Sequence, residues 1–357
     1  MIAILGYETS RSFWRLVYPP ERLLGMPDGV APTLRCINSI VEFRQLWPSW
    51  LTQELLDLDD GKVHLLTFEK GNRRRSSKHI AHTWSALVPD GSLCDLGTGV
   101  FVCSPAFLFL QTAATHSLAH TIAYGDELCG MYAFDPYSER GMRKRRPLTN
   151  VAKLRSYVET ARGCPGYRRA MAALGYLVDG SASPAETLAE MLICLPHRYG
   201  GYYLEVPELN VELRLSPAAA RVAHKSICYP DMYWRQIAFD IEYHGKYDHS
   251  REDAFDSDRA RVNALRLEGI EVIELTNKQV GDLVAFETIA LRLAGLLGRR
   301  IDPAKLGATK QRVELRQLLF SWNQNGGRRT PPLVMPDTSK CDLPDDAGSN
   351  SSGCVSV

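Results

Sequence analysis

The stretch from Ile237 to His244 alternates apolar and polar side chains, and this pattern constrains the fold more than any other part of the sequence. A period of two is typical of a half-buried strand, because successive side chains of a strand point to opposite faces. The alternation therefore predicts one apolar face and one polar face, comprising Ile237, Phe239, Ile241 and Tyr243 on the first and Asp240, Glu242 and His244 on the second. The polar face would carry two carboxyl groups beside an imidazole.

A third carboxyl group lies just before this strand. Asp231 directly follows Pro230 in a short apolar segment, and a turn near residues 234–236 would bring it alongside the polar face. The sequence does not fix the register of the two segments, so the partner of Asp231 is either Asp240 or Glu242. In both registers carboxylates converge beside His244 on the rigid frame of a sheet, which is the geometry of a metal site.

Composition narrows the class of protein. The chain has 357 residues, enough for two domains, and its 42 Lys and Arg nearly balance its 41 Asp and Glu. A nucleic-acid binder would therefore need a local basic patch. The nine cysteines are scattered without a CxxC pair, which argues against a disulfide framework and a zinc knuckle. Neither a signal peptide nor an apolar stretch of about 20 residues is present, so we expect a cytoplasmic protein with no membrane association.

A local basic patch does occur at residues 140–146. This segment holds five cations in seven residues, follows Asp135-Pro136 and ends before Pro147. It is interpreted either as a solvated linker or as a phosphate-binding segment, and the sequence does not separate the two. A second basic segment, Gly71 to His82, is interpreted as a solvated loop.

Residues 181–297 read as a helix, three strands, a helix, a strand and a helix. The leading helix has Ser183 at its N-cap, Pro184 at its first position and Glu186 where a capping box places its acid, so Glu186 has a complete structural explanation. The later elements are predicted at Val211–Leu215, residues 229–245, Glu252–Glu268, Ile270–Leu275 and Asp282–Leu297.

This order of elements and acids resembles the PD-(D/E)XK nuclease superfamily. Within it, the chain is most similar to the short domains related to the very-short-patch repair endonucleases. The residues that carry the resemblance are Pro230-Asp231, then Glu242-Tyr243-His244 at the (D/E)XK position eleven residues on, Gly245 and His249 after it, Asp258 to Arg261, and Ser183 to Glu186 on the leading helix. Each motif alone is weakly specific, and the ordered set covers a third of the chain.

The resemblance implies hydrolysis of DNA phosphodiester bonds with the help of Mg²⁺ or Mn²⁺. Asp231 and Glu242 would be the metal ligands, because hard cations prefer oxygen donors, and Glu186 would assist through a water molecule. His244 stands where the superfamily usually has Lys. An imidazole can act as a general base near neutral pH, so the replacement is compatible with activity and equally with a weakened site.

A binding module is the alternative. The N-terminal part, including Lys62 to Val88 and Ser104-Pro105, is loosely similar to abortive-infection type IV antitoxin proteins. That resemblance implies a non-catalytic regulator that binds DNA or a protein partner without cutting. The residues themselves also have plain structural interpretations, namely an Asx cap for Asp231, a solvated edge strand for Glu242 and His244, and an exposed ion pair between Asp258 and Arg261.

The sequence thus predicts an α/β chain. Residues 1–135 form an N-terminal α+β region without an assigned role, and residues 136–180 form the basic linker and helices. Residues 181–300 form a restriction-endonuclease-like mixed sheet flanked by helices. Residues 301–357 contribute a C-terminal helix and a disordered tail.

Overall fold

The structure is a computed structural model that describes residues 3–16, 62–68, 79–96, 99–244, 252–302 and 309–326, with the backbone alone for residues 252–258. The chain is a mixed α/β protein, as the sequence predicts. The interpretation of Gly71 to His82 as a solvated loop is wrong for its last four residues, because His79 to His82 belong to a strand that pairs in parallel with Val63–Thr67. Residues 71–78, the motif residues Gly245 and His249, and the predicted disordered tail lie outside the described residues.

Thirteen strands are found in the described part of the chain: β1 Ala3–Leu5, β2 Val63–Thr67, β3 His79–Thr83, β4 Leu93–Asp95, β5 Val100–Cys103, β6 Tyr132–Phe134, β7 Met142–Lys144, β8 Glu208–Leu209, β9 Leu213–Arg214, β10 Ile227–Cys228, β11 Met232–Trp234, β12 Phe239–His244 and β13 Glu271–Thr276. The helices of the same residues are α1 Tyr7–Leu16, α2 Pro105–Thr115, α3 Leu118–Cys129, α4 Val151–Thr160, α5 Tyr167–Ala173, α6 Pro184–Cys194, α7 Pro217–Ala223, α8 Glu252–Leu267, α9 Asn277–Gly281, α10 Leu283–Leu296 and α11 Lys310–Gln324. Short 3₁₀ turns occur at His197–Tyr199 and Arg235–Ile237. None of the described helices combines the length and the apolar character that crossing a membrane requires.

The N-terminal sheet has five strands in the order β3-β2-β1-β5-β4. Its central strand β1 is fully buried, runs parallel to β5 and antiparallel to β2. The helix α2 follows β5 directly and begins at Ser104, whose hydroxyl accepts a hydrogen bond from the amide of Phe107. This cap stabilises the helix start, because the Ser side chain satisfies an amide that the first turn leaves unpaired.

The second sheet has the order β13-β12-β11-β8 and positions the predicted acids. The chain reverses between β11 and β12 through the Arg235–Ile237 turn, which ends at Ala238 with a left-handed φ of 46°. Strand β12 pairs antiparallel with β11 and parallel with β13, so it is an inner strand.

The two faces of β12 are both covered. Phe239 and Ile241 pack into the main apolar core, which confirms the predicted apolar face. The opposite face lies under α8, where Val262 and Leu265 pack with Tyr233 of β11. The interpretation of Glu242 and His244 as the solvated face of an edge strand is therefore wrong, because α8 covers this face.

The basic segment 140–146 is part of a β-hairpin rather than an extended linker. Strand β7 pairs antiparallel with β6, with Tyr132 opposite Lys144 and Phe134 opposite Met142. The apolar residues of β6 are buried, so they anchor the hairpin to the core while the charged residues of β7 remain at the surface. The cations are thereby held in fixed positions.

One apolar core extends through the chain from Ala3 to Trp322. Trp322 of α11 packs edge-on against Phe134 of the hairpin, with ring centroids 4.9 Å apart. The regions defined by the predicted boundaries at residues 135, 180 and 300 therefore share a core, and their folding is expected to be coupled. The boundaries themselves stay a prediction.

Two buried carboxyl groups in this core make stability depend on pH. Burial raises the pKa of Glu190 on α6 to about 8. Burial and the charge of Glu190 raise the pKa of Asp126 on α3 well above its usual value. A carboxyl group whose pKa is higher in the folded state holds its proton after the unfolded chain has lost it, so stability falls as pH rises from about 4.5 towards 8.

We expect Glu190→Gln to remove much of this dependence. The neutral amide has no proton to lose, so the variant should gain stability relative to the parent by up to about 1.4 kcal/mol per pH unit across that window. Urea unfolding of both proteins at pH 5.5, 6.5 and 7.5 measures the difference. A gap that stays constant with pH would contradict the assignment.

Candidate active site

The register of the second sheet selects Glu242 as the cross-strand partner of Asp231. Met232 pairs with Ile241, which places the preceding residue Asp231 opposite Glu242. Arg261 of α8 contacts both carboxylates, with Nη1 at 3.3 Å from Asp231 Oδ1 and Nη2 at 2.6 Å from Glu242 Oε2. The two carboxylates therefore lie close enough to share one cation.

Asp231 is not an Asx cap of a local turn. Its Oδ2 accepts a hydrogen bond of 2.8 Å from the amide of Tyr243, twelve residues away on β12. Burial raises the pKa of Asp231 above its usual value, against a lowering by Arg261 and by the hydrogen bond from Tyr243. The side chain is thus fixed between two strands and a helix, in a surrounding that disfavours its charge.

Asp240 lies beside Glu242 on the covered face of β12, and both residues are 0% exposed. Its Oδ1 accepts a hydrogen bond from the amide of Met232. Burial and the charge of Asp231 raise the pKa of Asp240 to about 7 and that of Glu242 well above its usual value. The interaction between the two neighbouring carboxyl groups raises the pKa of Glu242 further and lowers that of Asp240. Three carboxyl groups thus surround a single guanidinium.

Glu186 has the capping contacts that the sequence predicts. It caps the start of α6, where its Oε1 accepts a hydrogen bond from the Ser183 hydroxyl and its Oε2 accepts one from the amide of Ala182. It also lies near Asp231, because Asn210 bonds both residues and both line the same cleft. Burial and the charge of Asp231 raise the pKa of Glu186 to about 7. The structural explanation holds, and a role in metal binding stays a prediction.

Asn210 connects Glu186 to Asp231, and sequence reasoning missed it. Its side-chain amide donates a 2.8 Å hydrogen bond to Glu186 Oε2, and its main-chain amide donates one to the carbonyl oxygen of Asp231. The residue has a left-handed φ of 48°, which Asn tolerates better than most residues. Nothing in its sequence neighbourhood indicates a contact with acids 21 to 24 residues away.

His244, predicted in the position of the usual Lys, lies at the end of β12 next to the carboxylates. Its Nε2 is 3.2 Å from Oε2 of Glu274 on the neighbouring strand β13. The charge of His244 also lowers the pKa of Asp231, which places the imidazole within electrostatic reach of that carboxylate. Glu274 was not predicted as a partner, because the pairing depends on the register between β12 and β13.

These side chains meet at a cleft of about 1170 Å³ between the basic hairpin and the second sheet. Two carboxylates, Glu186 and Asp231, line it together with His244. Six cations line it as well: Arg140, Lys144, Arg145 and Arg146 from the hairpin side, and Lys225 and Arg261 from the other. Cations outnumber carboxylates among the residues that line the cleft, so the lining carries a net positive charge.

The donor set suits a hard cation, although the described residues contain no ready-made group of three or more His, Cys, Asp or Glu side chains for a metal. Asp231 and Glu242 supply carboxylate oxygens, which Mg²⁺ and Mn²⁺ prefer. The Arg261 guanidinium lies between them and contacts both. A divalent ion would therefore fit this pair only when Arg261 withdraws.

Comparisons with protein-family models, with curated proteins and with solved structures found no match for this chain. Its fold and cleft alone define its class. It is a mixed α/β protein with a recessed cluster of carboxyl groups at the base of a basic cleft.

Proposed function

We propose that this protein is a metal-dependent endonuclease that hydrolyses phosphodiester bonds of DNA. The observation that carries the proposal is the carboxylate pair of Asp231 and Glu242, which already shares one cation at the base of a cleft lined by basic residues. The basic walls would bind the phosphates, and the acids would supply the reactive centre.

The cations of the cleft account for substrate binding. Lys144 and Arg146 on the hairpin and Lys225 on the opposite side are exposed at the surface of the cleft. Lysine and arginine side chains neutralise backbone phosphates without reading the sequence, and they release condensed counterions on binding. DNA affinity is therefore expected to fall steeply as salt concentration increases.

The charge balance of the acid cluster supports a divalent ion. Asp231, Asp240 and Glu242 are buried around one guanidinium, and the pKa of each is raised. One positive charge does not allow three buried carboxyl groups to ionise together. An ion held by Asp231 and Glu242 would supply the missing positive charge. When bound, it would act as a Lewis acid on the phosphate and lower the pKa of a bound water.

The remaining residues have distinct tasks in this proposal. His244 in its neutral form would accept a proton from the attacking water, and its Glu274 neighbour would stabilise the resulting imidazolium. Arg261 would move from the carboxylates to the scissile phosphate, where it can neutralise developing charge. Glu186 and Asn210 would hold the segment that carries Asp231.

The purified full chain should cut plasmid and labelled linear DNA in Mg²⁺ or Mn²⁺ and leave both intact in EDTA. Asp231→Asn should lower the cleavage rate at least about a hundredfold, because the amide is a poor metal ligand. Asp90→Asn is the matched control, since Asp90 is exposed in a turn outside the cleft. Cleavage that persists in EDTA, or in Asp231→Asn, would reject the proposal.

A non-catalytic DNA-binding or antitoxin-like regulator is the second candidate. Its supporting observation is that Arg261 neutralises the carboxylate pair in place of a metal, while His replaces the usual Lys. This candidate predicts DNA retention without any product under every metal condition in the same assay.

A further inference from the structure

Tyr229 is an exposed aromatic side chain at the cleft, two residues before Asp231. Its side chain is about half exposed, and it lines the cleft with the carboxylates and the cations. Its carbonyl oxygen accepts a hydrogen bond of 3.3 Å from Arg261 Nη1, the same nitrogen that contacts Asp231. The backbone of Tyr229 is therefore fixed beside the acid cluster, and the residue lines the same cleft as Asp231. A single exposed Tyr is common at protein surfaces, so its meaning depends on the surroundings.

The depth of the acid cluster is the second observation. Asp231 is 8% exposed, while Asp240 and Glu242 are fully buried. The reactive centre thus lies at the base of the cleft rather than on an open face. A DNA duplex is a stiff rod with its nucleobases stacked inside. Its backbone can reach the bottom of a cleft only if the duplex is deformed, which is energetically costly. A flexible single strand pays no such cost.

The shape and charge of the cleft are the third observation. Its volume of about 1170 Å³ exceeds the roughly 300–1,000 Å³ of pockets that enclose one small ligand. Cations from two separate parts of the chain line it, with Lys144 and Arg146 on the hairpin side and Lys225 after α7. A basic groove that follows the backbone, combined with an aromatic platform for a base, is how proteins bind single-stranded DNA.

We infer that the cleft takes single-stranded DNA and that the base next to the scissile phosphate stacks on Tyr229. This inference rests on the proposed nuclease function and adds the form of its substrate. Stacking requires an unpaired base, so Tyr229 would select single strands, flaps or splayed nucleotides over intact duplex.

The test is fluorescence anisotropy with the full chain in EDTA, which reads binding separately from cleavage. The probes are a labelled strand of about 20 nucleotides, its duplex, and an abasic strand of the same length that keeps the phosphates. Tyr229→Ala removes the ring, and Tyr229→Phe keeps it. We expect the single strand to bind at least tenfold more tightly than the duplex. Tyr229→Ala should weaken single-strand binding by about 5- to 150-fold and leave abasic-strand binding unchanged, whereas Tyr229→Phe should match the parent.

Equal or tighter binding of the duplex would overturn the inference. A loss in Tyr229→Ala that is the same for the abasic strand would also overturn it, because that loss would not depend on bases. A parallel Mg²⁺ cleavage assay separates the two proposals. Absence of cleavage with selective, Tyr229-dependent binding would reject the nuclease alone, whereas cleavage with equal duplex binding would reject the strand preference alone.

Discussion

Glu242→Gln is expected to lower the rate of DNA cleavage about a thousandfold. The glutamine side chain has the same shape but carries no negative charge, so Asp231 would be the one charged ligand of the pair that remains for a divalent ion. Metal stabilisation of the transition state is worth several kcal/mol, and each 1.4 kcal/mol corresponds to a factor of ten in rate. The fold should survive the change. Burial raises the pKa of Glu242 well above its usual value, so a neutral side chain suits this position.

Asp240→Asn is the matched control for Glu242→Gln. It makes the same chemical change two residues away, on the same covered face of β12. Asp240 Oδ1 bonds the amide of Met232, and no ion pair joins Asp240 to Arg261 among the described residues. We expect this variant to keep the cleavage rate within about tenfold of the parent. Circular dichroism and single-turnover kinetics compare the two. A loss in Asp240→Asn as large as in Glu242→Gln would show that the functional pair is not Asp231 with Glu242.

The pattern of the second sheet was accessible from the sequence, and its register was not. The alternation predicts the buried face of Phe239 and Ile241, because the period of two follows from strand geometry alone. The register depends on the turn Arg235–Ile237, which ends with Ala238 at a φ of 46°. A left-handed Ala has no signal in the sequence, since tertiary contacts stabilise a conformation that this residue disfavours.

The partners of Arg261 illustrate a second limit. The residue belongs to the helical motif that the resemblance identified, and local spacing suggested a pair with Asp258. The pair with Asp258 stays a prediction, because the Asp258 side chain lies outside the described residues. The contacts of Arg261 with Asp231 and Glu242 arise where Val262 and Leu265 pack against the sheet. Such contacts join residues 19 to 30 positions apart, and no local pattern encodes them.

The strand in the basic segment was not predicted, for a different reason. Charged residues dominate segment 140–146, and its strand Met142–Lys144 is too short to show alternation. The hairpin is stabilised by its partner, because Tyr132 and Ala133 are fully buried. The sequence therefore left a linker and a phosphate-binding segment as alternatives, and the fold places Lys144 and Arg146 in the lining of the same cleft as Lys225. The metal, the DNA substrate and the nuclease activity stay predictions.

Arg15→Met is expected to lower the free energy of unfolding by about 3–5 kcal/mol. Arg15 binds Glu127 through two parallel hydrogen bonds, from Nε to Oε1 at 2.7 Å and from Nη2 to Oε2 at 2.6 Å. Glu127 is 1% exposed, so removal of the guanidinium would leave its carboxylate buried and without this counter-charge. Arg15 Nη1 also donates to the carbonyl oxygen of Gly326, which couples α1 to the end of α11.

The pair of Arg235 and Glu208 provides the control for this prediction. It has the same two-bond geometry at 2.9 Å, but both side chains are about half exposed. Water solvates a surface carboxylate that loses its partner, so Arg235→Met should cost far less stability than Arg15→Met. Urea unfolding of the two variants and the parent measures both changes. The double variant Arg15→Met with Glu127→Met should recover part of the loss, because the penalty arises from the buried charge that remains. Equal costs for Arg15→Met and Arg235→Met would contradict this account, since burial is the feature that distinguishes the two pairs.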